Sequence, residues 1–239
     1  AESSDLIITC VKDADAVKEV LFGNDGITSG KYTGISVADM STINPTSAQE
    51  ISKKLHTMKI KSLEIPVMGG PNVAIDGGLV LMASGDKELF ETHQKIFKTI
   101  ANKIFFLGES GSAHTIKLAM NMQISLLALS LSEGIILMKK AGIEPEKFLE
   151  ILNSTYFGTG MSEKKAYKMI KNEYEPTFTL KNLKKDLDII TKTAKDFDAV
   201  LPITERANKI YDDALAAGFG ELDYTGVLAY IEKISRTKD

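Results

Sequence analysis

Lys117 and Asn121 stand four residues apart in an apolar stretch, behind a turn that carries two glycines: Gly108-Glu-Ser-Gly111-Ser-Ala-His-Thr-Ile-Lys117-Leu-Ala-Met-Asn121. The pattern after the second glycine is helical, and a four-residue step returns to the same helix face. A lysine among Ile116, Leu118, Ala119 and Met120 either snorkels to water or faces a cavity. In a cavity, an amine can move a proton to or from a substrate oxygen while the neighbouring amide orients it. Spacing alone leaves both readings open, the other being an ordinary surface lysine beside an asparagine bonded to backbone.

Gly69 and Gly70 have no side chains to block approach, so their N–H groups could meet a carboxylate directly. A tight turn after a strand is the plainer reading and is compatible with that one. The segment Gly108-Glu-Ser110-Gly111 suggests a hydrolase nucleophile elbow but fails on spacing, because Ser112 stands where a glycine is needed. Cys10 is the only cysteine, and His56, His93 and His114 lie far apart, so neither a disulfide nor a metal site is expected. The net charge of -3, from 29 basic and 32 acidic residues, gives no reason to expect nucleic acid. The first residues carry two acids and no basic region, so no secretory signal is expected. The nearest approach to a membrane span, Ile116 to Met138, contains Lys117, Asn121, Gln123 and Glu133, which predicts a helix buried in protein. The expectation is a soluble cytoplasmic protein with no membrane partner.

The first half alternates β-type apolar runs with amphipathic stretches, the signature of a parallel α/β sheet. Strands are expected at Leu6 to Val11, buried on both faces, and at Ile35 to Met40, Ser62 to Pro66, Leu79 to Ala83 and Ile104 to Leu107. Helices are expected over Asp13 to Leu21, Pro45 to Met58 and Lys87 to Ala101. From Gly108 onward only helices are expected: a long one over Ser112 to Ala141, then Glu146 to Leu152, Ser162 to Lys171, Leu180 to Phe197, Ile203 to Ala217 and Tyr224 to Arg236. The reading is an α/β domain over 1–108 and an all-helical domain over 109–239, with the long helix as the piece between them.

Four blocks, in order, carry a resemblance. The Gly-turn followed by Lys117-x-x-x-Asn121 resembles the catalytic signature of the β-hydroxyacid dehydrogenases. Ala38-Asp-Met-Ser41-Thr42 is similar to that family's Asp-x-Ser-Thr segment, and Glu64-Ile-Pro66-Val-Met-Gly69-Gly70 to its Asp-Ala-Pro-Val-Ser-Gly-Gly block. Leu183-Lys184-Lys185-Asp186-Leu187 resembles its Lys-Asp-Leu motif. The resemblance, to the 3-hydroxyisobutyrate dehydrogenase and glyoxylate/succinic semialdehyde reductase type, implies an incomplete doubly wound, Rossmann-type sheet followed by the helical domain. It implies hydride transfer between NAD or NADP and a short β-hydroxyacid or its semialdehyde. A homodimer or homotetramer is expected because the long helix is apolar on most of its circumference and a small helical domain cannot cover all of it alone.

In that frame Lys117 is the acid–base group. Gly69, Gly70, Asn121, Ser41 and Thr42 bind substrate, and Cys10, Val11 and Lys185 lie on the cofactor side, Lys185 supplying a cation. Met68 stands in place of a serine, and Lys12 in place of a proline. No Gly-x-Gly-x-x-Gly turn occurs, and a doubly wound sheet normally starts at the strand carrying it. The expectation is therefore a chain that opens inside the nucleotide domain and is inactive alone. The alternative is a non-catalytic relative serving as an oligomerisation or binding module, against which the presence of Lys117 argues. Lys117 also disfavours an imine reductase, and the helical part is small for a decarboxylating sugar-phosphate dehydrogenase.

Overall fold

A computed structural model describes residues 4–30 and 34–236. By compactness the chain divides between Met120 and Asn121 into two units.

The first unit is a sheet with helices on both faces. Strands β1 (Leu6–Thr9), β2 (Ser36–Asp39) and β3 (Lys61–Glu64) run parallel, linked by α1 (Ala14–Phe22) and α2 (Pro45–Thr57). Then come β4 (Val67–Met68), α3 (Pro71–Ile75), β5 (Leu79–Gly85), α4 (Lys87–Ile100), β6 (Ala101–Phe106) and the first turns of α5 (Ser112–Ala141). Helix starts follow local chemistry: Asp13 caps Ala16 N–H, and Asn44 caps Thr46 N–H ahead of Pro45. Alternation along β2 sends Val37 into the core under α1 and α2, with Leu21, Ile51 and Leu55, and Ala38 into the core under α4, with Leu81, Phe90 and Phe97.

Two expectations are corrected here. The sheet is mixed, because β5 runs antiparallel to both β3 and β4 before β6 resumes parallel pairing with β5. A short connection through α3 permits that reversal, whereas a parallel return needs a longer crossover. Strand β1 is not buried on both faces: it pairs with β2 on one side, and Ile8 is 39% exposed.

The second unit is helical. It holds the remainder of α5, then α6 (Pro145–Asn153), α7 (Gly160–Lys164), α8 (Ala166–Ile170), α9 (Leu180–Asp196), α10 (Pro202–Ala214) and α11 (Val227–Arg236). A π turn, Leu215–Phe219, and a 3-10 turn, Tyr224–Gly226, join the last two. No strand follows β6 among the described residues, only a single bridge between Thr179 and Asp223. The core is built on Leu131, Ile135, Leu149, Met169 and Leu228. The helix expected over Ser162 to Lys171 is two helices, because the backbone opens at Lys165 (φ -109°), whose amine is held by Asp223 at 2.8 Å.

Helix α5 is as long as expected, and by length and composition alone it could cross a membrane. Less than half of its most apolar stretch is buried in the chain, and Ile116, Met120 and Leu137 are exposed. The apolar neighbours of Lys117 enclose it only in part: Leu118 is buried, while Ile116 and Met120 are not.

Candidate active site

Thr9, Asp39, Glu64 and Ser84 stand in register on four neighbouring strands, a polar row across the sheet. All four are buried. Asp39 Oδ1 accepts from Thr9 Oγ1 and from Ser41 Oγ, both at 2.7 Å, and Ser41 Oγ accepts from Val11 N–H at 2.9 Å. The loops that follow β1 and β2 are thereby tied together, and four expected site residues, Cys10, Val11, Ser41 and Thr42, meet at the C-terminal ends of parallel strands. In open α/β sheets those ends are where ligands bind. Cys10 is exposed there, yet its thiol is partly desolvated, and that together with the Asp39 charge pushes its pKa up. Ser41 has its hydroxyl proton committed to Asp39, so toward a substrate it can only accept.

Glu64 serves the other side of the row. Ser84 Oγ donates to its Oε2 at 2.7 Å, Ser110 Oγ donates to Oε1, and Gly111 N–H reaches both oxygens at 2.7 and 2.9 Å. Ser84 Oγ in turn accepts from Ala113 N–H at 3.1 Å. The start of α5 is therefore docked on the row. Gly111 has φ +96°, and a Cβ there would lie 2.7 Å from Gln49 Nε2, so the turn needs glycine. Burial pushes the carboxyls of Asp39 and Glu64 above the usual range, against hydroxyl and N–H donors that favour ionisation. Among the described residues neither forms an ion pair. His114, fully buried, shares a cavity of about 20 Å³ with Asp39 and Glu64, and burial lowers its pKa to about 3.

Lys117, part-buried on α5, lies with Nζ 3.2 Å from Met68 Sδ. Met68 is the residue before the glycine pair, so the expected amine and the expected carboxylate-binding turn are neighbours. Gly69 adopts φ +131°, and a Cβ there would meet Leu79 Cδ2 at 2.6 Å; Gly70 opens α3. In the second unit, buried Asn121 donates Nδ2 to Asp186 Oδ2 at 2.6 Å, and Asp186 Oδ1 pairs with Lys185 Nζ at 2.9 Å. Asp186 thus links two expected site residues. Spacing within the motifs did not single out Asp39, Glu64, Ser84, His114 or Asp186. The signal that could have found the first two is an acid closing an apolar strand, in Ser36-Val-Ala-Asp39 and Ser62-Leu-Glu64. Among the described residues no three His, Cys, Asp or Glu side chains gather to hold a metal ion.

Comparison with known proteins finds relatives along nearly the whole chain. A family model described as the NAD binding domain of 6-phosphogluconate dehydrogenase matches residues 1–108. Another, described as NAD-binding of NADP-dependent 3-hydroxyisobutyrate dehydrogenase, matches residues 111–231. The chain is 30% identical to glyoxylate/succinic semialdehyde reductase 1 of Arabidopsis thaliana, over 96% of this chain and 79% of that protein. It is equally 30% identical to cytokine-like nuclear factor N-PAC of Aedes aegypti, covering 95% of this chain but spanning only 40% of that relative's length. A crystal structure of 3-hydroxyisobutyrate dehydrogenase from Salmonella typhimurium superposes with TM-score 0.86 at 26% identity, over 96% of this chain and 80% of that one.

Proposed function

This chain belongs to the β-hydroxyacid dehydrogenase family, and on that premise we propose that it moves a hydride between NAD or NADP and a short β-hydroxyacid or the matching semialdehyde. The observation that carries the reading is the contact between Lys117 Nζ and Met68, which sets an amine beside the glycine pair. Nicotinamide, when bound, takes or gives the hydride. The C-terminal ends of β1 and β2 suit that end of the dinucleotide: Cys10 is exposed there, and Asp39 keeps one buried oxygen without a hydrogen bond among the described residues. The chain contains no Gly-x-Gly-x-x-Gly turn to cradle the pyrophosphate.

In this reading Lys117 Nζ holds the proton that leaves the carbinol hydroxyl, or returns it to the carbonyl oxygen. The N–H groups of Gly69 and Gly70 receive the substrate carboxylate, and Thr42 donates near the reacting carbon while Ser41 accepts there. Asn121, its amide oriented by Asp186, contacts the substrate, and Lys185 serves the cofactor side. Met68 offers sulfur and methylene surface where a hydroxyl donor would otherwise stand. That favours a substrate with more apolar length, at about 0.8 kcal/mol for each buried methylene, and hence reduction of succinic semialdehyde over oxidation of 3-hydroxyisobutyrate.

In the full-length protein, Lys117→Ala should lower kcat about 100- to 10,000-fold with cofactor affinity nearly unchanged, and wild-type turnover would remove the lysine from the mechanism. A panel of 3-hydroxyisobutyrate, tartronate semialdehyde, glyoxylate and succinic semialdehyde, run in both directions with both cofactors, tests the substrate. Preferred oxidation of 3-hydroxyisobutyrate would overturn the narrower assignment. The exposed apolar positions of α5 support a homodimer or homotetramer, and sedimentation as a monomer at micromolar concentration would refute that. The single cysteine supports a reducing cytoplasm as the place of action.

The similarity to N-PAC favours one competing reading, a non-catalytic binding or oligomerisation module. Under it, Lys117→Ala would leave assembly intact and no substrate of the panel would be turned over.

A further inference from the structure

We infer that Glu64 is a positioning residue for Lys117, fixing the start of α5 and so the place of the lysine amine. The effect on turnover rests on the dehydrogenase reading; the effect on the amine does not.

The first N–H groups of a helix have no partner within it, and whatever satisfies them sets where the helix begins. Here Gly111 N–H, just ahead of α5, goes to both oxygens of Glu64, and Ala113 N–H goes to Ser84 Oγ, itself a donor to Glu64. Ser110 adds a hydroxyl to the same carboxyl. One side chain from the end of β3 thus gathers donors from β5 and from the turn before α5, and its negative charge suits a helix N-terminus.

Lys117 lies four residues past Ala113, roughly 6 Å along the axis. Its amine meets Met68, which the sheet fixes through pairing with Val80. Glu64 and Met68 belong to one short segment, so the segment that holds the helix start also contacts the amine. Freeing the helix start would let the first turn shift while Met68 stays, and the amine would move relative to Gly69 and Gly70.

The test uses the full chain with Glu64→Ala, Glu64→Gln and Ser84→Ala. Trace acetylation with acetic anhydride, read by peptide mass spectrometry, compares Lys117 with Lys12, an exposed control in the loop after β1. Glu64→Ala should raise labelling of Lys117 several-fold and leave Lys12 unchanged. Glu64→Gln, which keeps an acceptor for Gly111 N–H, should restore most of the wild-type value. With succinic semialdehyde and NADPH, Glu64→Ala should lower kcat roughly 10- to 100-fold with KM for NADPH little changed. The double variant Glu64→Ala/Lys117→Ala should be no slower than Lys117→Ala alone. Unchanged labelling of Lys117 in Glu64→Ala, or in Ser84→Ala should the former not fold, overturns the inference, as does a Glu64→Ala factor that multiplies onto Lys117→Ala. Wild-type turnover by Lys117→Ala would instead sink the dehydrogenase reading, with the labelling still deciding the role of Glu64.

Discussion

In the first unit, Asp39 and Glu64 are buried among hydroxyls and N–H groups with no ion pair among the described residues; in the second, Asp223 takes Lys165 at 2.8 Å and Asp186 takes Lys185 at 2.9 Å. Both units take carboxylates out of water, and they compensate the cost differently. Burial drives the Asp39 and Glu64 pKa values up, and neutral donors, though they favour the charged form, do not offset it. For Asp223 burial acts in the same direction, but the Lys165 ammonium, Thr177 N–H and the Thr225 hydroxyl outweigh it and bring the pKa down. A paired acid is a staple between chain segments. An unpaired buried acid at strand ends, beside exposed Cys10 and a docked helix start, is what a working site retains at some cost to stability.

Removing the staple gives the largest expected effect. Asp223→Ala strips the partner from Lys165 and leaves Thr177 and Thr225 without their acceptor, and it should cost about 3–5 kcal/mol in urea unfolding of the second unit. A loss below about 1 kcal/mol would erase the distinction between the two kinds of acid. The folded pKa of Asp223 is depressed, so its contribution is present above the ordinary aspartate value and is lost as pH falls through the folded one. Acid should therefore loosen the second unit through this residue.

Next comes His114, buried neutral with both ring nitrogens lacking hydrogen bonds among the described residues. With its pKa lowered from 6.5 to about 3, its contribution is present above 6.5 and is lost as pH falls toward the folded value. At pH 4.5, two units below the ordinary value, the loss is roughly 3 kcal/mol. Asp39 and Glu64, in the same cavity, work the other way: their contribution is full below the ordinary carboxylate values and is lost as pH rises through the raised folded ones. Replacing His114 with leucine should remove the opposing part. Hydrogen exchange of the β2 and β3 amides should then show the variant gaining on wild type by about 3 kcal/mol between pH 7 and 4.5. A gap that stays constant across that range would mean that His114 does not stay neutral.

Much of this contrast was invisible in the sequence, while most of the framework was not. Helices α2 and α5 announce themselves locally, through Asn44-Pro45 at one start and the Gly108 to Gly111 turn at the other, and their limits were read to within a residue. The reversal at β5 was not, because side-chain alternation is the same in parallel and antiparallel pairing. At the site, Lys117 and Asn121 were singled out by type and spacing, and Gly69 and Gly70 by their missing side chains. The acids escaped because their partners are remote: Glu64 finds Ser110 and Gly111 across 46 and 47 residues, and Asp186 finds Asn121 across 65. Lys165 likewise looked like one more helical lysine until Asp223, 58 residues on, explained the break between α7 and α8.

The smallest effect is expected where intuition from ion pairs would expect a large one. Asp39→Asn keeps an oxygen for the Thr9 and Ser41 hydroxyls, and its new amide faces the position of Oδ2, which has no hydrogen bond among the described residues. Wild type gains no cation from its carboxylate, only the cost of burying it, so near pH 8 the variant should be no less stable than wild type. As pH falls, wild type protonates Asp39 and recovers the contribution it lost, and the comparison should shift in its favour. Asp223→Asn should behave in the opposite sense, costing most near neutrality and least in acid, because there the charge itself is what binds Lys165. Urea unfolding of both variants at pH 8 and pH 4 decides it. If Asp39→Asn is destabilising at pH 8 by as much as Asp223→Asn, Asp39 is a staple after all and the polar row is structure alone.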